Sequence, residues 1–279
     1  MDKDSMTNSL AFTEVHGDKD RTLVFLHGGG CAGWMWDAAI ACLPGYHCLV
    51  PDLPEHGASA LVKPFSMQLA AQKTLELIRS HAHGGRAVVV GLSEGAQVAV
   101  QMLADAPESI SGALISSALL LPMPGGRLYS SPGLISALFK LSVPPFRNND
   151  AWIRLNMKYA AGIPEAYFTQ FKATFQATGE SQFVNLMVAN QTFRLPKNLQ
   201  KADLPVLVTC GRHELKAMRE SARLLSKELP QAQLRWIDLG KGSGLASEHN
   251  WALTAPQAFA ESLQHWLEGK TLPKFLFET

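Results

Sequence analysis

The sequence predicts an α/β fold: a mostly parallel sheet with helices on both faces and one long helical insertion. Three observations predict it. Short apolar runs rich in β-formers alternate with amphipathic helical patterns, which implies parallel strands joined by crossover helices. One run, Ala87-Val88-Val89-Val90, is almost purely aliphatic, as a strand covered on both faces must be. The alternation breaks once, between about Leu120 and Leu199, where no strand run is convincing.

In chain order, Leu23–Leu26 reads as a strand ending at His27-Gly28-Gly29-Gly30, and His47–Val50 as one ending at Asp52. Ser66 suits a helix N-cap, and Leu69, Ala70, Leu77 and Ile78 mark one apolar helical face behind it. After Ala87–Val90 comes a helix over Glu94–Ala106, stopped by Pro107. Ala113–Ile115, Val206–Val208 and Leu234–Ile237 complete the candidate strands. The last helix opens at Pro256, carries Phe259, Leu263, Trp266 and Leu267 at i, i+4, i+7 and i+8, and ends at Gly269.

The interrupted stretch holds Met123, Leu128, Phe139, Phe146, Trp152, Met157, Tyr159, Tyr167, Phe168, Phe171, Phe175, Phe183, Met187 and Phe193. Pro122, Pro124, Pro132, Pro144, Pro145, Pro164 and Pro196 punctuate it. A structureless loop of that length is foreign to a compact domain, so short helices are expected. The domain reading is a core of residues 1–119 and 200–279 with a helical insertion of 120–199, whose apolar side chains either line a pocket in part or form only the insertion's own small core.

The bulk properties narrow the function. With 279 residues the chain can bury a full core. Its 25 Lys and Arg against 24 Asp and Glu leave a net charge of +1, and no basic stripe with interleaved aromatics points to nucleic acid. The start, MDKDSMTNSLAF, lacks the pattern of a secretory signal, and no apolar run approaches the roughly 18 residues of a membrane span. Cys31, Cys42, Cys48 and Cys210 form no CxxC pair and no metal spacing, so they read as buried reduced thiols. The expectation is a cytoplasmic protein with a small-molecule substrate, no metal, no cofactor, no nucleic acid and no membrane; the oligomeric state is not encoded legibly.

The chemistry concentrates in a few motifs. Gly91-Leu92-Ser93-Glu94-Gly95 stands between a strand and a helix. A serine on such a tight turn is pushed outward, and its neighbours must be small for the turn to form. Ser93 is the candidate nucleophile; the bland alternative is an ordinary strand-to-helix turn. In His27-Gly28-Gly29-Gly30, backbone N–H groups can point at a reacting carbonyl; the alternative is a flexible turn, and no Gly-Lys-Ser/Thr follows to make a phosphate loop. His249, between the last strand and the last helix, is the candidate base, whereas His27 and His56 more naturally hold loops. Glu214 follows the strand ending at Cys210 and could orient the imidazole; Asp238 and Glu248 compete for that role. Position favours Glu214, because Glu248 should point elsewhere and Asp238 should hold the loop of Gly240 to Gly244.

Together these residues resemble the α/β-hydrolase superfamily in its form with a helical cap. The resemblance rests on His27-Gly28-Gly29-Gly30 with Trp34 and Trp36, on Asp52-Leu53-Pro54-Glu55-His56-Gly57-Ala58-Ser59, and on Gly91–Gly95. Gly211-Arg212-His213-Glu214 and His249 with Pro256 and Phe259 extend it over nearly the whole chain outside the insertion. It implies a cap after the sixth strand, an active site beneath that cap, and an oxyanion hole from the N–H groups of Gly29 and Glu94. It further implies a hydrolase of an ester or lactone that passes through an acyl-enzyme on Ser93. Carbon–carbon bond hydrolases and haloperoxidase-like enzymes share such triads; a haloalkane dehalogenase would need a carboxylate at Ser93. A non-catalytic binding protein on the same fold is the alternative of another class. Three departures stand out. Glu55 replaces the usual glycine, which bears on the loop's shape. The acid is glutamate rather than the usual aspartate. Glu94 follows the nucleophile, and because a buried unpaired carboxylate is costly it is expected to reach solvent or a polar partner.

Overall fold

In the computed structural model, residues 9–123, 125–126 and 130–278 are described. The readings that rest on residues 1–8, Pro124 and Leu128 lie outside these residues. The strands are β1 (Phe12–Val15), β2 (Thr22–Leu26), β3 (His47–Pro51), β4 (Ala87–Leu92), β5 (Ile110–Ser116), β6 (Val206–Gly211), β7 (Ala232–Ile237) and β8 (Leu276–Phe277). They form one sheet in the order β1-β3-β2-β4-β5-β6-β7-β8. β2 to β7 run parallel, and the two edge strands are antiparallel to their neighbours.

Successive residues of the central strands serve opposite faces. Leu23, Phe25, Val88 and Val90 join Trp36, Trp251 and Phe259 on one side. Val24, Leu26 and Val89 join helices α1 (Met67–His81), α2 (Glu94–Asp105) and α7 (Lys216–Glu228) on the other. The period-2 alternation of a strand thus builds two cores from one apolar run. Ser66 caps α1 as expected, accepting the Leu69 N–H at 3.1 Å. Two strands lie outside the sequence reading. β1 is a half-exposed edge strand, and β8 comes from the apolar tail and has only two residues, too few to show a period.

Between β5 and β6 the described chain is helical: α3 (Pro132–Ser142), α4 (Asp150–Leu155) running into a π-helical turn, α5 (Phe168–Ala177) and α6 (Glu180–Thr192). The insertion follows the fifth strand, one fewer than the resemblance implies among the described residues.

β2 and β4 are neighbours although β3 comes between them in the chain, with Leu26 opposite Gly91. At this reversal of strand order the loops leaving the C-terminal strand ends splay apart and open a crevice. His27–Gly30 leaves β2 there, and Ser93 leaves β4 beside it. Their closeness is tight at Gly95: a Cβ there would overlap the Leu26 carbonyl oxygen and lie 2.7 Å from that of His27. Backbone on both sides cannot yield to a methyl group. Gly95→Ala is therefore expected to lower the unfolding free energy by roughly 2–4 kcal/mol, measured by urea denaturation; a loss under about 0.5 kcal/mol would mean that the loops can part freely.

Candidate active site

Ser93 sits at the junction of β4 and α2 with φ 57° and ψ −111°. A non-glycine residue held there carries strain on the order of 1–3 kcal/mol. Its N–H is fixed by the Ser116 carbonyl at 2.8 Å, across on β5. The turn leaves the side chain half-buried on the wall of a cavity of about 570 Å³. Gly28, Gly29, Glu94, Glu214 and His249 line the same cavity.

His249 closes helix α8 (Leu245–His249). Its Nδ1 lies 2.9 Å from Oε2 of Glu214. A carboxylate only accepts, so Nδ1 donates and Nε2 keeps its lone pair. The other Glu214 oxygen accepts from Ser117 Oγ at 2.5 Å and from the Gly211 N–H at 2.9 Å. Glu214 is only 4% exposed. Burial pushes its carboxyl up, but the facing His249 charge, the imidazole hydrogen bond, the Ser117 hydroxyl and the Gly211 N–H together bring it below the usual carboxylate range.

The rival carboxylates are engaged elsewhere. Glu248 is fully buried and accepts from the His213 N–H, His213 Nδ1 and Ser243 Oγ. Asp238 accepts the Gly240 N–H at 3.0 Å and pairs with Arg212 at 2.8 Å, and these two partners hold its carboxyl low. Each occupies the place that the sequence suggested for it.

His27 and His56 hold loops. His27 Nε2 accepts the Leu53 N–H while Nδ1 contacts the Gly28 carbonyl, both at 2.9 Å. Glu55 adopts φ 62°, a left-handed conformation that costs a side-chain-bearing residue about 1–2 kcal/mol. Its carboxylate offsets this by accepting the Phe65 N–H and the Asn185 amide of α6. The loop keeps a turn that glycine would adopt freely and gains a tie to the insertion.

Of the two expectations for Glu94, solvent or a polar partner, the first fails. The side chain does not reach solvent: it is fully buried, and His56 Nε2 faces Oε1 at 3.6 Å, beyond hydrogen-bond length. The loop after β2 lies over the carboxyl, where a Cβ on Gly29 would stand 3.1 Å from Oε2.

Ser116 and Ser117 were missed from the sequence. Ser116 holds the Ser93 N–H and, through Oγ, the Trp251 indole N–H at 3.0 Å. The only signal for them was a pair of hydroxyls just past an apolar strand run. The roof of the cavity comes from the insertion: Met123, Phe171, Phe175, Phe183, Leu186 and Met187 line it. Phe139, Met157 and Phe193 are instead buried away from it. Among the described residues no cluster of three His, Cys, Asp or Glu side chains could hold a metal ion, and no helix is long and apolar enough to cross a membrane. The cysteines are all free thiols.

The chain is similar to several known proteins. An AB hydrolase superfamily protein of Gibberella zeae is 24% identical over 276 residues, which cover 96% of this chain and 88% of that one. A pimeloyl-[acyl-carrier protein] methyl ester esterase of Methylococcus capsulatus is 32% identical over 123 residues, 44% of each chain. Among solved structures, a hydrolase from Pseudomonas aeruginosa superposes with a TM-score of 0.71 at 22% identity, covering 92% of this chain and 94% of its own. An enol-lactonase from Burkholderia xenovorans superposes at 0.69 with 19% identity, covering 93% and 96%. At these identities the superpositions establish the fold. The Alpha/beta hydrolase family matches residues 23–262, and the chain belongs to that family of hydrolases.

Proposed function

We propose that the protein is a serine hydrolase that cleaves a carboxylic ester or lactone of a small, largely apolar substrate. One observation carries this reading: a strained serine shares a cavity with a histidine whose Nδ1 is locked by a buried carboxylate. In the reaction, Ser93 Oγ attacks the acyl carbon as His249 Nε2 takes its proton. The carbonyl oxygen becomes an oxyanion facing the N–H groups of Gly29 and Glu94, neither of which has a partner among the described residues. The imidazolium returns its proton to the leaving alkoxide, and the acyl group stays on Ser93. Water then attacks the acyl-enzyme with His249 again as base, and the acid departs. Glu214 stays ionised throughout and stabilises the imidazolium; its three donors support that role.

The cavity supports the substrate class. Apart from Glu94, Glu214 and His249, its described lining is apolar or neutral, with aromatic and sulfur side chains over Ser93. A charged acyl group would lose its hydration there without a partner. An ester or lactone fits better than an amide because its leaving group needs less protonation.

Three measurements follow. A fluorophosphonate probe should label the protein, and Ser93→Ala should abolish both labelling and turnover; equal labelling of the alanine variant would move the nucleophile elsewhere. Esters with longer or aromatic acyl groups should outperform acetate, each buried methylene adding up to about 0.8 kcal/mol, roughly fourfold in kcat/KM. A flat or falling profile would place the acyl group outside the cavity. Finally, Glu214→Gln should fold normally by circular dichroism yet lose about 100-fold or more of kcat, through loss of the imidazolium's charge partner and preferred tautomer. Asp238→Asn should lose far less, and the reverse ranking would assign the acid to Asp238.

A further inference from the structure

Behind the candidate oxyanion donors lies a buried acid and a buried base that the reaction above leaves idle. The Glu94 carboxyl is folded back beneath the oxyanion loop: a Cβ on Gly29 would stand 3.1 Å from Oε2. Oε1 lies 3.6 Å from His56 Nε2, and both atoms are buried without a hydrogen-bond partner among the described residues. The other nitrogen of His56, Nδ1, lies 2.9 Å from the Pro54 carbonyl. That carbonyl only accepts, so Nδ1 carries the ring hydrogen and Nε2 turns a lone pair on the carboxyl. Two lone-pair atoms facing each other out of water repel unless a proton lies between them. A small shift of the glutamate side chain brings the two within hydrogen-bond length.

We infer that Glu94 and His56 share one buried proton, held on the carboxyl as a neutral acid, and that this pair positions the Gly29 and Glu94 N–H groups for the oxyanion. The second half rests on the hydrolase reading above; the first does not. The pair joins three loops: Gly29 follows β2, His56 follows β3 and Glu94 follows β4. Those strands are adjacent in the sheet. Glu94 is thus a positioning residue through its side chain, beyond any part its N–H plays.

The surroundings favour the neutral form. Burial drives the Glu94 carboxyl well above the usual carboxylate range. Burial pushes His56 down, outweighing the Pro54 carbonyl and the Asp52 and Glu55 charges that pull it up. The Cys31 thiol, a neighbour that burial pushes up to about 12, brings no charge to the pair. His27, its ring 4.8 Å from that of His56, is held down at about 3 by burial and by His56. Asp52 is engaged by the Gly33 and Ala58 N–H groups, and Glu55 by Phe65 and Asn185. Among the described residues no Lys or Arg pairs with Glu94. An ionised Glu94 would set an uncompensated negative charge behind the forming oxyanion.

The sign of the pH effect follows. The folded Glu94 is raised above its unfolded value, so its contribution to stability is complete below the unfolded value near 4.5 and is lost as pH rises through the folded one. Glu94→Gln is isosteric, keeps an N–H donor for Nε2 and cannot ionise. The test compares wild type, Glu94→Gln and Glu94→Ala from pH 5 to pH 9.5 by melting temperature and by ester kinetics. The melting temperature of Glu94→Gln relative to wild type should climb with pH. The ratio of its kcat to that of wild type should climb as well, by up to about tenfold per pH unit once Glu94 ionises, with KM unmoved. Glu94→Ala should lose kcat at every pH and should not share the Gln variant's recovery. A melting difference that is flat with pH overturns the shared proton. A climbing melting difference with parallel kcat profiles overturns the link to the oxyanion donors. Failure of all three proteins to turn over any ester or take the fluorophosphonate label would defeat the hydrolase reading and that link with it, while the melting curves still decide the proton.

Discussion

The site depends on one backbone constraint: Ser93 must stay in a conformation that a serine avoids. Strain on the order of 1–3 kcal/mol survives only where the surroundings allow no alternative. Here the Ser116 carbonyl fixes its N–H, and α2 starts at once, with the Gln97 N–H on the Ser93 carbonyl at 3.1 Å. Gly95 then presses against the carbonyls that end β2. The last contact does more than hold the turn. It brings the start of α2 against the His27–Gly30 loop, so the two N–H groups proposed for the oxyanion come from segments locked by the same packing. A looser turn would relax Ser93 and separate those donors together.

Two buried carboxylates flank this turn, and their environments drive them apart. Glu214 and Glu94 are both nearly or wholly removed from water. Glu214 accepts from a hydroxyl, a backbone N–H and an imidazole, which outweigh its burial and hold it ionised. Glu94 accepts nothing, so burial alone governs it and its carboxyl rises. Burial sets the penalty for charge, and the count of donors decides whether the penalty is met. In the proposed reaction this leaves negative charge on the imidazole side of Ser93, where a cation would develop, and keeps it off the side where the oxyanion would form.

This contrast also marks where the sequence was legible. The central strands could be read because both faces are buried and their residues are correspondingly aliphatic, as in Ala87–Val90. β1 and β8 sit at the sheet edges, where one side of the ladder is open and the apolar signal fades. Ser93 and His249 could be singled out as candidates because a tight turn and a fixed chain order constrain residue type locally. The choice of Glu214 over Asp238 and Glu248 followed from position, but the partners that engage the rivals, such as His213 on Glu248, are contacts between loops that no local pattern encodes. That Glu94 faces His56 rather than solvent could not be read for the same reason. A glutamate in the first turn of a helix ordinarily faces water, and only the convergence of the loops after β2 and β3 removes it.

The insertion shows how such contacts divide the work between shape and register. Its apolar side chains roof the cavity, but apolar burial is nondirectional and would tolerate sliding. The register is set by amides and hydroxyls. Asn190 and Gln97 exchange bonds at 2.9 and 3.0 Å, Asn185 holds Glu55, Thr174 meets the Trp34 indole N–H, and Asn250 reaches the Ala161 carbonyl. Every core partner in this set stands close to a chemical motif: Gln97 one turn beyond Ser93, Glu55 beside His56, Trp34 after the glycine loop, and Asn250 next to His249. Misplacing a hydrogen bond out of water costs more than misplacing a methyl contact, so these ties fix where the roof sits. The apolar lining is then free to vary in size while the roof keeps its alignment over Ser93; for the proposed reaction, that would separate the choice of acyl group from the geometry of attack.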